Sequence, residues 1–251
     1  MKIVALKTDL ETILPLRELF LQENKIQIRY NARHERGWTD SYHLTVDGVP
    51  VGYGAVAGKN NFTDRDALFE FFVIPTYRHL SSALFAELIK TSNPKYIECQ
   101  SNEFLLSAML YEFSKTISSD VILFADSVVT QHSFPEITFR RLHEDDIIPK
   151  QKRASIGDYI LVKDGEIIAT GGFLLHYNLL YADIYMEVYA PHRRKGYGSF
   201  IVQELKKACY SAGRVPAARC NINNPASKST LIKAGFAPCG YMLTGVIKKH
   251  N

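Results

Sequence analysis

The sequence predicts an α/β (α+β) protein built from two tandem domains, each a mixed, mostly antiparallel sheet flanked by helices. Two observations predict this class. Short runs rich in aromatic and β-branched residues alternate with runs whose apolar residues recur at helical spacing. Two predicted hairpins also share one turn, because Asp47-Gly48 in the first half recurs as Asp164-Gly165, 117 residues later.

Other landmarks recur at a similar spacing, which indicates an internal repeat. Val73 and Arg78 correspond to Val188 and Arg193, an offset of 115 residues. A repeat of this size indicates a duplicated domain rather than a solenoid. The alternative is a single elongated domain. The predicted domains are residues 1–133 and 134–251.

In the first half, the pattern predicts a strand, a helix, a hairpin, and then a strand–helix–strand–helix–strand series. Asp9 directly precedes the first periodic apolar run, so its side chain can cap that helix. The predicted elements are strand Met1–Lys7, helix Leu10–Phe20, hairpin strands Tyr42–Val46 and Val49–Ala57, strand Asp66–Ile74, a helix from Ser81 or Ser82 to Ile89, strand Lys95–Cys99, helix Glu103–Ser114 and strand Val121–Phe124.

The second half repeats this order with one shorter segment. About 15 residues separate its first strand from its hairpin, where the first half has over 30. The predicted elements are strand Ile137–Leu142, a polar segment Asp145–Lys152, hairpin strands Asp158–Val162 and Glu166–Gly171, strand Asp183–Tyr189, a helix to about Ala212, strand Ala217–Ile222, a helix from Ser227 and strand Tyr241–Ile247.

The composition favours a globular cytoplasmic protein. The chain is 46% hydrophobic and 22% charged, and its longest uncharged run, residues 167–182, is interrupted by glycines and polar side chains. That run is too short and polar for a membrane span, and the first residues do not fit a signal peptide. The four cysteines lack CxxC spacing and are expected to be reduced thiols. We therefore expect no membrane contact and no metal.

The net charge of +4 hides an asymmetry between the halves. Residues 1–130 carry 13 Lys and Arg against 16 Asp and Glu, whereas the remaining residues carry 17 against 10. A basic domain can bind nucleic acid, but these cations are mostly scattered. We expect no nucleic-acid partner, and the basic half is the one that carries the motif described next.

A basic, glycine-containing loop joins a predicted strand to a predicted helix in the second half. The loop reads Arg193-Arg194-Lys195-Gly196-Tyr197-Gly198. The first turn of a helix presents unpaired N–H groups and a partial positive charge, and glycines let a ligand approach the backbone. The chemistry that suits this arrangement is a pyrophosphate. The alternative is an ordinary solvated connection, and the spacing does not fit the P-loop motif.

The pattern Arg193-x-x-Gly196-x-Gly198 after a strand ending in Val188 resembles the acetyl-CoA pyrophosphate loop of the GNAT N-acetyltransferase superfamily. A second motif agrees. Asn224-Pro-Ala-Ser, followed by a helix that closes on Gly-Phe, is similar to the family's Asn-x-x-Ala/Ser segment. The resemblance covers roughly residues 157–241.

The resemblance implies an acetyl-CoA-dependent N-acetyltransferase that transfers an acyl group to an amine of a small molecule or peptide, acting as a monomer or a homodimer. Acetyl-CoA would be the co-substrate, without a metal. The alternative is a CoA-binding module with decayed catalysis and a sensor or regulatory role. The implied cofactor-binding residues are Val188, Arg193, Arg194, Lys195, Gly196, Tyr197, Gly198, Ser199, Asn224 and Ser227.

The candidates for the catalytic base are Asp183, Glu187 and His176, with Tyr177 as a further possibility. Of these, Asp183 and Glu187 match the family's frequent choice of an acidic residue on this strand. Each has a structural alternative: Asp183 as a turn cap, Glu187 as the partner of a loop cation, and His176 as a core histidine. The family often places a tyrosine acid where this chain has Leu231, so another group or water must do that work.

The first half carries a degenerate copy of the loop. In Arg78-His79-Leu80-Ser81-Ser82-Ala83, Ser81 replaces Gly196 and Ala83 replaces Gly198. Each added Cβ obstructs the approach of a pyrophosphate to the backbone. We therefore predict a tandem GNAT arrangement in which the N-terminal copy keeps the fold, has lost the cofactor and has a structural or acceptor-side role.

Overall fold

The computed structural model describes residues 1–24, 31–148, 157–175 and 179–248. The strands are β1 (Ile3–Thr8), β2 (Thr39–Val46), β3 (Val49–Ala57), β4 (Ala67–Val73), β5 (Tyr96–Gln100), β6 (Ser114–Asp126), β7 (Ile137–Arg141), β8 (Tyr159–Lys163), β9 (Glu166–Leu174), β10 (Tyr181–Val188), β11 (Val215–Asn221) and β12 (Phe236–Ile247). The α-helices are α1 (Leu10–Glu23), α2 (Asn31–Glu35), α3 (Ser81–Ser92), α4 (Phe104–Phe113), α5 (Tyr197–Ser211) and α6 (Pro225–Lys233). Short 3₁₀ turns cover Pro75–Leu80 and Ala190–His192.

The chain forms two compact units. Of the described residues, unit 1 contains 1–24, 31–121 and 240–248, and unit 2 contains 122–148, 157–175 and 179–239. Strand β6 therefore begins in unit 1 and ends in unit 2, while β12 begins in unit 2 and ends in unit 1. The division at residues 133 and 134 stays a prediction.

In unit 1 the strand order is β1-β2-β3-β4-β5-β12. Strands β1 to β4 pair antiparallel with their neighbours in this order, as do β5 and β12. Strands β4 and β5 pair in parallel, at Ala67–Tyr96 and Leu68–Ile97. Helices cover both faces: α3 and α4 bury residues such as Phe85 and Leu106 in one core, and α1 buries Phe20 in the other.

In unit 2 the strand order is β6-β11-β10-β9-β8-β7. Strands β7 to β10 pair antiparallel, and β10 and β11 pair in parallel. Helix α5 packs on this sheet, with Ile201 and Leu205 in the same core as Ile184 and Val188. The predicted fold class, a mixed and mostly antiparallel sheet flanked by helices, is confirmed.

Both predicted hairpin turns have the backbone that the Asp-Gly sequence favours. Asp47 and Gly48 have φ of 49° and 82°, and Asp164 and Gly165 have φ of 48° and 80°. Positive φ at both central residues defines the type I′ turn, whose twist matches that of paired strands. Among the described helices, none has both the length and the apolar character needed to cross a membrane.

Two strands are longer than the sequence pattern predicts. Strand β6 starts at Ser114, although only Val121–Phe124 is predicted, because its first residues are mostly polar and carry no clear apolar alternation. Strand β12 starts at Phe236 rather than Tyr241 and runs through Pro238 and Gly240, residues that ordinarily interrupt a strand.

Candidate active site

Strands β10 and β11 part in the middle of β10. Their parallel pairing runs from Tyr181–Val215 to Asp183–Ala217 and ends there, whereas β10 stays paired with β9 as far as Val188. The β10 residues beyond Asp183 therefore have no β11 partner on that side. Backbone groups that lack a neighbouring strand are available to an extended ligand.

The two faces of β10 have different surroundings. Ile184 and Val188 lie in the core with α5. Since side chains alternate along a strand, Asp183, Tyr185 and Glu187 lie on the opposite face. The sequence left open which face these three residues occupy, and the core contacts of their neighbours decide it.

Asp183 is a buried carboxylate at the point where the strands part. Only 5% of the residue is exposed, and its Oδ2 lies 3.1 Å from Nε of Arg219. Its Oδ1 is buried and has no hydrogen-bond partner among the described residues. Burial raises the pKa of Asp183 to about 6, and Arg219 acts in the opposite direction. Such a group is mostly ionised at neutral pH yet basic enough to accept a proton.

The other catalytic candidates differ from Asp183. The Glu187 carboxylate is partly exposed and lies 3.4 Å from Nη2 of Arg193, which matches its structural alternative as the partner of a loop cation. His176 and Tyr177 lie outside the described residues, so their roles stay predictions. Of the described candidates, Asp183 has the environment of a general base.

The basic loop contains two left-handed residues before α5. Arg194 has φ of 63° and Gly196 has φ of 88°, and the helix begins at Tyr197. A Cβ added to Gly196 would lie 3.0 Å from the ring of Phe134. Arg194, Lys195 and Gly196 are exposed. The loop thus presents two cations beside the amino end of a 15-residue helix, which suits an anion.

Arg193 connects the loop to the end of the strand. Its Nε donates to the carbonyl oxygen of Val188 at 2.8 Å. The corresponding residues of unit 1 make the same contact, because Nε of Arg78 donates to the carbonyl oxygen of Val73 at 3.0 Å. The repeat found in the sequence therefore has the same hydrogen bond in both units. The Arg193 side chain has a structural role, and its predicted contact with CoA stays a prediction.

After the basic loop, the side chains of Tyr197 and Ser199 at the start of α5 pack inside unit 2. The Tyr197 hydroxyl accepts a hydrogen bond from Nζ of Lys163 at 3.3 Å, and the Ser199 hydroxyl donates to the carbonyl oxygen of Thr230 at 3.3 Å. A Cβ on Gly198 would lie 3.1 Å from Cγ2 of Thr230, so this glycine lets α5 approach α6. The backbone N–H of Ser199 donates to the carbonyl oxygen of Gly196 at 3.1 Å, so the N–H groups that a ligand could contact are those of Tyr197 and Gly198.

Asn224 caps α6. Its Oδ1 accepts from the backbone N–H of Ser227 at 3.0 Å, the usual contact of a helix N-cap. Leu231 is buried in the core of unit 2 and cannot donate a proton. The predicted contacts of Asn224 and Ser227 with a cofactor stay predictions.

The loop of unit 1 has a different backbone. Its 3₁₀ turn leads directly into α3 at Ser81, whose φ of −55° and ψ of −45° are helical. The residues with positive φ in the described chain include Arg194 and Gly196 but no position from 75 to 83. The turn that widens the loop before α5 is therefore missing in unit 1.

Side chains of α2 occupy the point where β4 and β5 part. Arg33 lies 3.3 Å from Glu98 of β5 through Nη2, and its guanidinium lies 5.0 Å from the ring centroid of Phe69 on β4. His34 reaches Glu70 of β4 with 3.1 Å between Nε2 and Oε2. Arg33 thus contacts both strands beyond Leu68, the last β4 residue that pairs with β5.

Sequence reasoning missed two charged residues. Glu70 is the one charged residue in an otherwise apolar strand, Ala-Leu-Phe-Glu-Phe-Phe-Val, and a buried charge requires partners. Arg219 follows the small residues Ala217 and Ala218 on β11. In both cases a charged residue among small or apolar strand residues was the available signal.

Comparisons with known proteins agree with the two-unit arrangement. Residues 9–127 match a family model described as "Acetyltransferase (GNAT) domain", and residues 125–236 match one described as "Acetyltransferase (GNAT) family". No curated protein matches the chain.

Solved structures share the fold at low sequence identity. An acetyltransferase of the GNAT family from Colwellia psychrerythraea is 16% identical with a TM-score of 0.76, covering 99% of this chain and 100% of its own. A tandem GNAT protein from the clavulanic acid biosynthesis pathway is 12% identical with a TM-score of 0.62, covering all of both chains. With both halves matched separately and the same arrangement seen in a solved tandem protein, this chain belongs to the GNAT acetyltransferase superfamily and contains two GNAT domains in tandem.

Proposed function

We propose that this protein transfers an acyl group from acetyl-CoA to an amine of a small molecule or peptide, and that unit 2 carries out the reaction. The observation that carries the proposal is the position of Asp183. It is a buried carboxylate whose Oδ1 has no hydrogen-bond partner in the part of the chain that the structure describes, and it lies where β10 leaves β11, on the strand that leads to the basic loop.

The residues of unit 2 fit the co-substrate. The N–H groups in the first turn of α5, together with Arg194 and Lys195, would hold the pyrophosphate. The β10 backbone beyond Asp183 would hold the pantetheine arm on its unpaired edge. Residues 131–251 carry a net charge of +7, which attracts a polyanion.

The chain's own contribution to chemistry is proton transfer at Asp183. When bound, acetyl-CoA supplies an acyl group activated as a thioester. Oδ1 of Asp183 accepts a proton from the ammonium of the acceptor, so that the amine can attack. Because Leu231 is buried where the family often has its tyrosine, the leaving thiolate takes its proton from another group or from water.

The test of this function is thiol release from acetyl-CoA measured across a panel of amines. We expect release that depends on the presence of an amine. Binding of CoA in calorimetry without amine-dependent release would support the alternative, a CoA-binding module with decayed catalysis. If neither CoA binding nor amine-dependent thiol release is found, both the acyltransferase and the CoA-binding module are contradicted.

Replacing Gly196 with valine is expected to weaken CoA binding by about 2–3 kcal/mol, roughly 30- to 150-fold. A β-branched residue disfavours the left-handed backbone, and its Cβ would crowd Phe134 beside the anion-binding turn. Calorimetry on the folded variant measures this change.

The matched control is Gly213→Val. Gly213 also has positive φ, 69°, but an added Cβ there meets nothing within 4 Å. This variant introduces a similar backbone strain at a position outside the basic loop, so its CoA affinity should equal that of the wild type. Equal affinity in Gly196→Val would contradict the placement of the pyrophosphate.

Each chain is expected to bind one CoA molecule. Unit 1 lacks the left-handed turn, its loop has Ser81 and Ala83 in place of the glycines, and Arg33 fills the point where its strands part. Titration calorimetry should give a stoichiometry near one, and Gly196→Val should weaken that single site. Two sites of similar affinity would show that unit 1 also binds CoA.

A further inference from the structure

Arg219 approaches Asp183 from the separated part of β11. Pairing between the strands ends at Asp183–Ala217, and Arg219 lies two residues further along β11 on the same face as Ala217. Its side chain returns to the carboxylate, with 3.1 Å between Nε and Oδ2. The ion pair therefore lies at the point from which the two strands diverge.

The contact is made to one carboxylate oxygen. Nε of Arg219 holds Oδ2, while Oδ1 has no hydrogen-bond partner among the described residues. A pair that served only to satisfy a buried charge would be expected to engage both oxygens, as Arg17 does with Glu70. Holding one oxygen restrains rotation of the carboxylate and leaves the other oxygen available.

The other charged and titratable residues of β10 interact with other groups. Glu187 pairs with Arg193, Tyr185 lies within electrostatic range of Asp158, and Tyr181 lies within range of Cys239. In the described part of unit 2, Arg219 is the charged group that acts on Asp183.

We propose that Arg219 is the positioning residue of this site: it keeps Asp183 ionised and holds Oδ1 toward the incoming amine. This inference rests on the proposed function, in which Asp183 is the base. Burial alone favours the neutral carboxylic acid, which cannot accept the proton. The Arg219 cation opposes the effect of burial on the pKa of Asp183. The ionised carboxylate is therefore present at a lower pH than burial alone would allow.

Arg219→Met is expected to move the acidic limb of the kcat/KM profile to higher pH by about one unit. At pH 6.5 the ionised fraction of Asp183 would then fall about threefold. CoA affinity should not change. Arg219→Lys restores the positive charge but not the planar guanidinium. The acidic limb should therefore move most of the way back toward its wild-type pH, while kcat recovers only in part.

A second measurement does not depend on turnover. The carboxyl carbons of 13C-labelled aspartates can be titrated by NMR in the protein without substrate, and the Asp183 signal is the one that Asp183→Asn removes. We expect this signal to titrate at higher pH in Arg219→Met than in the wild type. If the wild type acylates no amine, the proposed function fails, and the NMR titration still decides whether Arg219 controls Asp183.

The matched control is Arg214→Met. It removes a guanidinium from the residue just before β11, where Arg214 contacts the carbonyl of Leu179 and not Asp183. Its pH profile and Asp183 titration should equal those of the wild type. An unchanged Asp183 titration in Arg219→Met would overturn the proposal, as would a change of equal size in Arg214→Met.

Discussion

Asp183→Asn is expected to lower kcat by about 100-fold or more, with the affinity for CoA unchanged. The amide keeps the shape of the side chain but cannot accept a proton from the ammonium of the acceptor. In the wild type, burial raises the pKa of Asp183 to about 6, so kcat/KM should fall as the pH drops through about 6 and the carboxylate becomes protonated. Steady-state kinetics across pH, with calorimetry for CoA, measures both effects.

The matched variant is Glu187→Gln, on the same face of the same strand. Its carboxylate is partly exposed and pairs with Arg193, so turnover should stay within about threefold of the wild type. If Glu187→Gln loses turnover and Asp183→Asn does not, the two roles are reversed. If both variants keep full turnover, the base is another group, such as His176, or water.

Glu70→Gln is expected to destabilise unit 1 by about 3–5 kcal/mol. The Glu70 carboxylate is fully buried and accepts from Arg17 at 3.0 and 3.1 Å and from the Tyr53 hydroxyl at 3.0 Å, with His34 at 3.1 Å. Burial acts to raise the pKa of Glu70, but Arg17 and His34 together hold it well below its usual range. Removing the charge leaves the buried Arg17 guanidinium without the carboxylate that balances it.

The single tryptophan makes this change measurable in unit 1. Trp38 belongs to unit 1 and stacks on Phe62, so urea unfolding followed by its fluorescence reports on that unit. The matched control is Glu87→Gln, which removes a carboxylate from an exposed pair with Lys90 and should change the unfolding free energy by less than about 1 kcal/mol. A similarly small change in Glu70→Gln would show that the buried cluster contributes little.

Local patterns in the sequence were enough to predict the fold class and the position of the loop. The Asp-Gly turns were predictable because few residue pairs tolerate two positive φ values in succession, and Gly196 does adopt such a φ. The correspondence of Arg78 with Arg193 could be read from spacing alone, and both make the same hydrogen bond to a strand carbonyl.

Features that depend on distant residues were not predictable. The burial of Asp183 results from the packing of several strands, and its ion pair joins residues 36 positions apart in the sequence. Spacing likewise could not show that Ser199 and Tyr197 point into the core. These outcomes depend on which element packs against each side chain.

The shared strands β6 and β12 have a consequence for how the chain folds during synthesis. The part of β12 that pairs with β5 follows all of unit 2 in the sequence, so it leaves the ribosome after unit 2 does. Until then β5 lacks this neighbour, and its exposed backbone groups can pair with another chain. Unit 1, although translated first, is completed last, and a nascent chain interrupted after residue 239 would carry a sheet edge prone to aggregation.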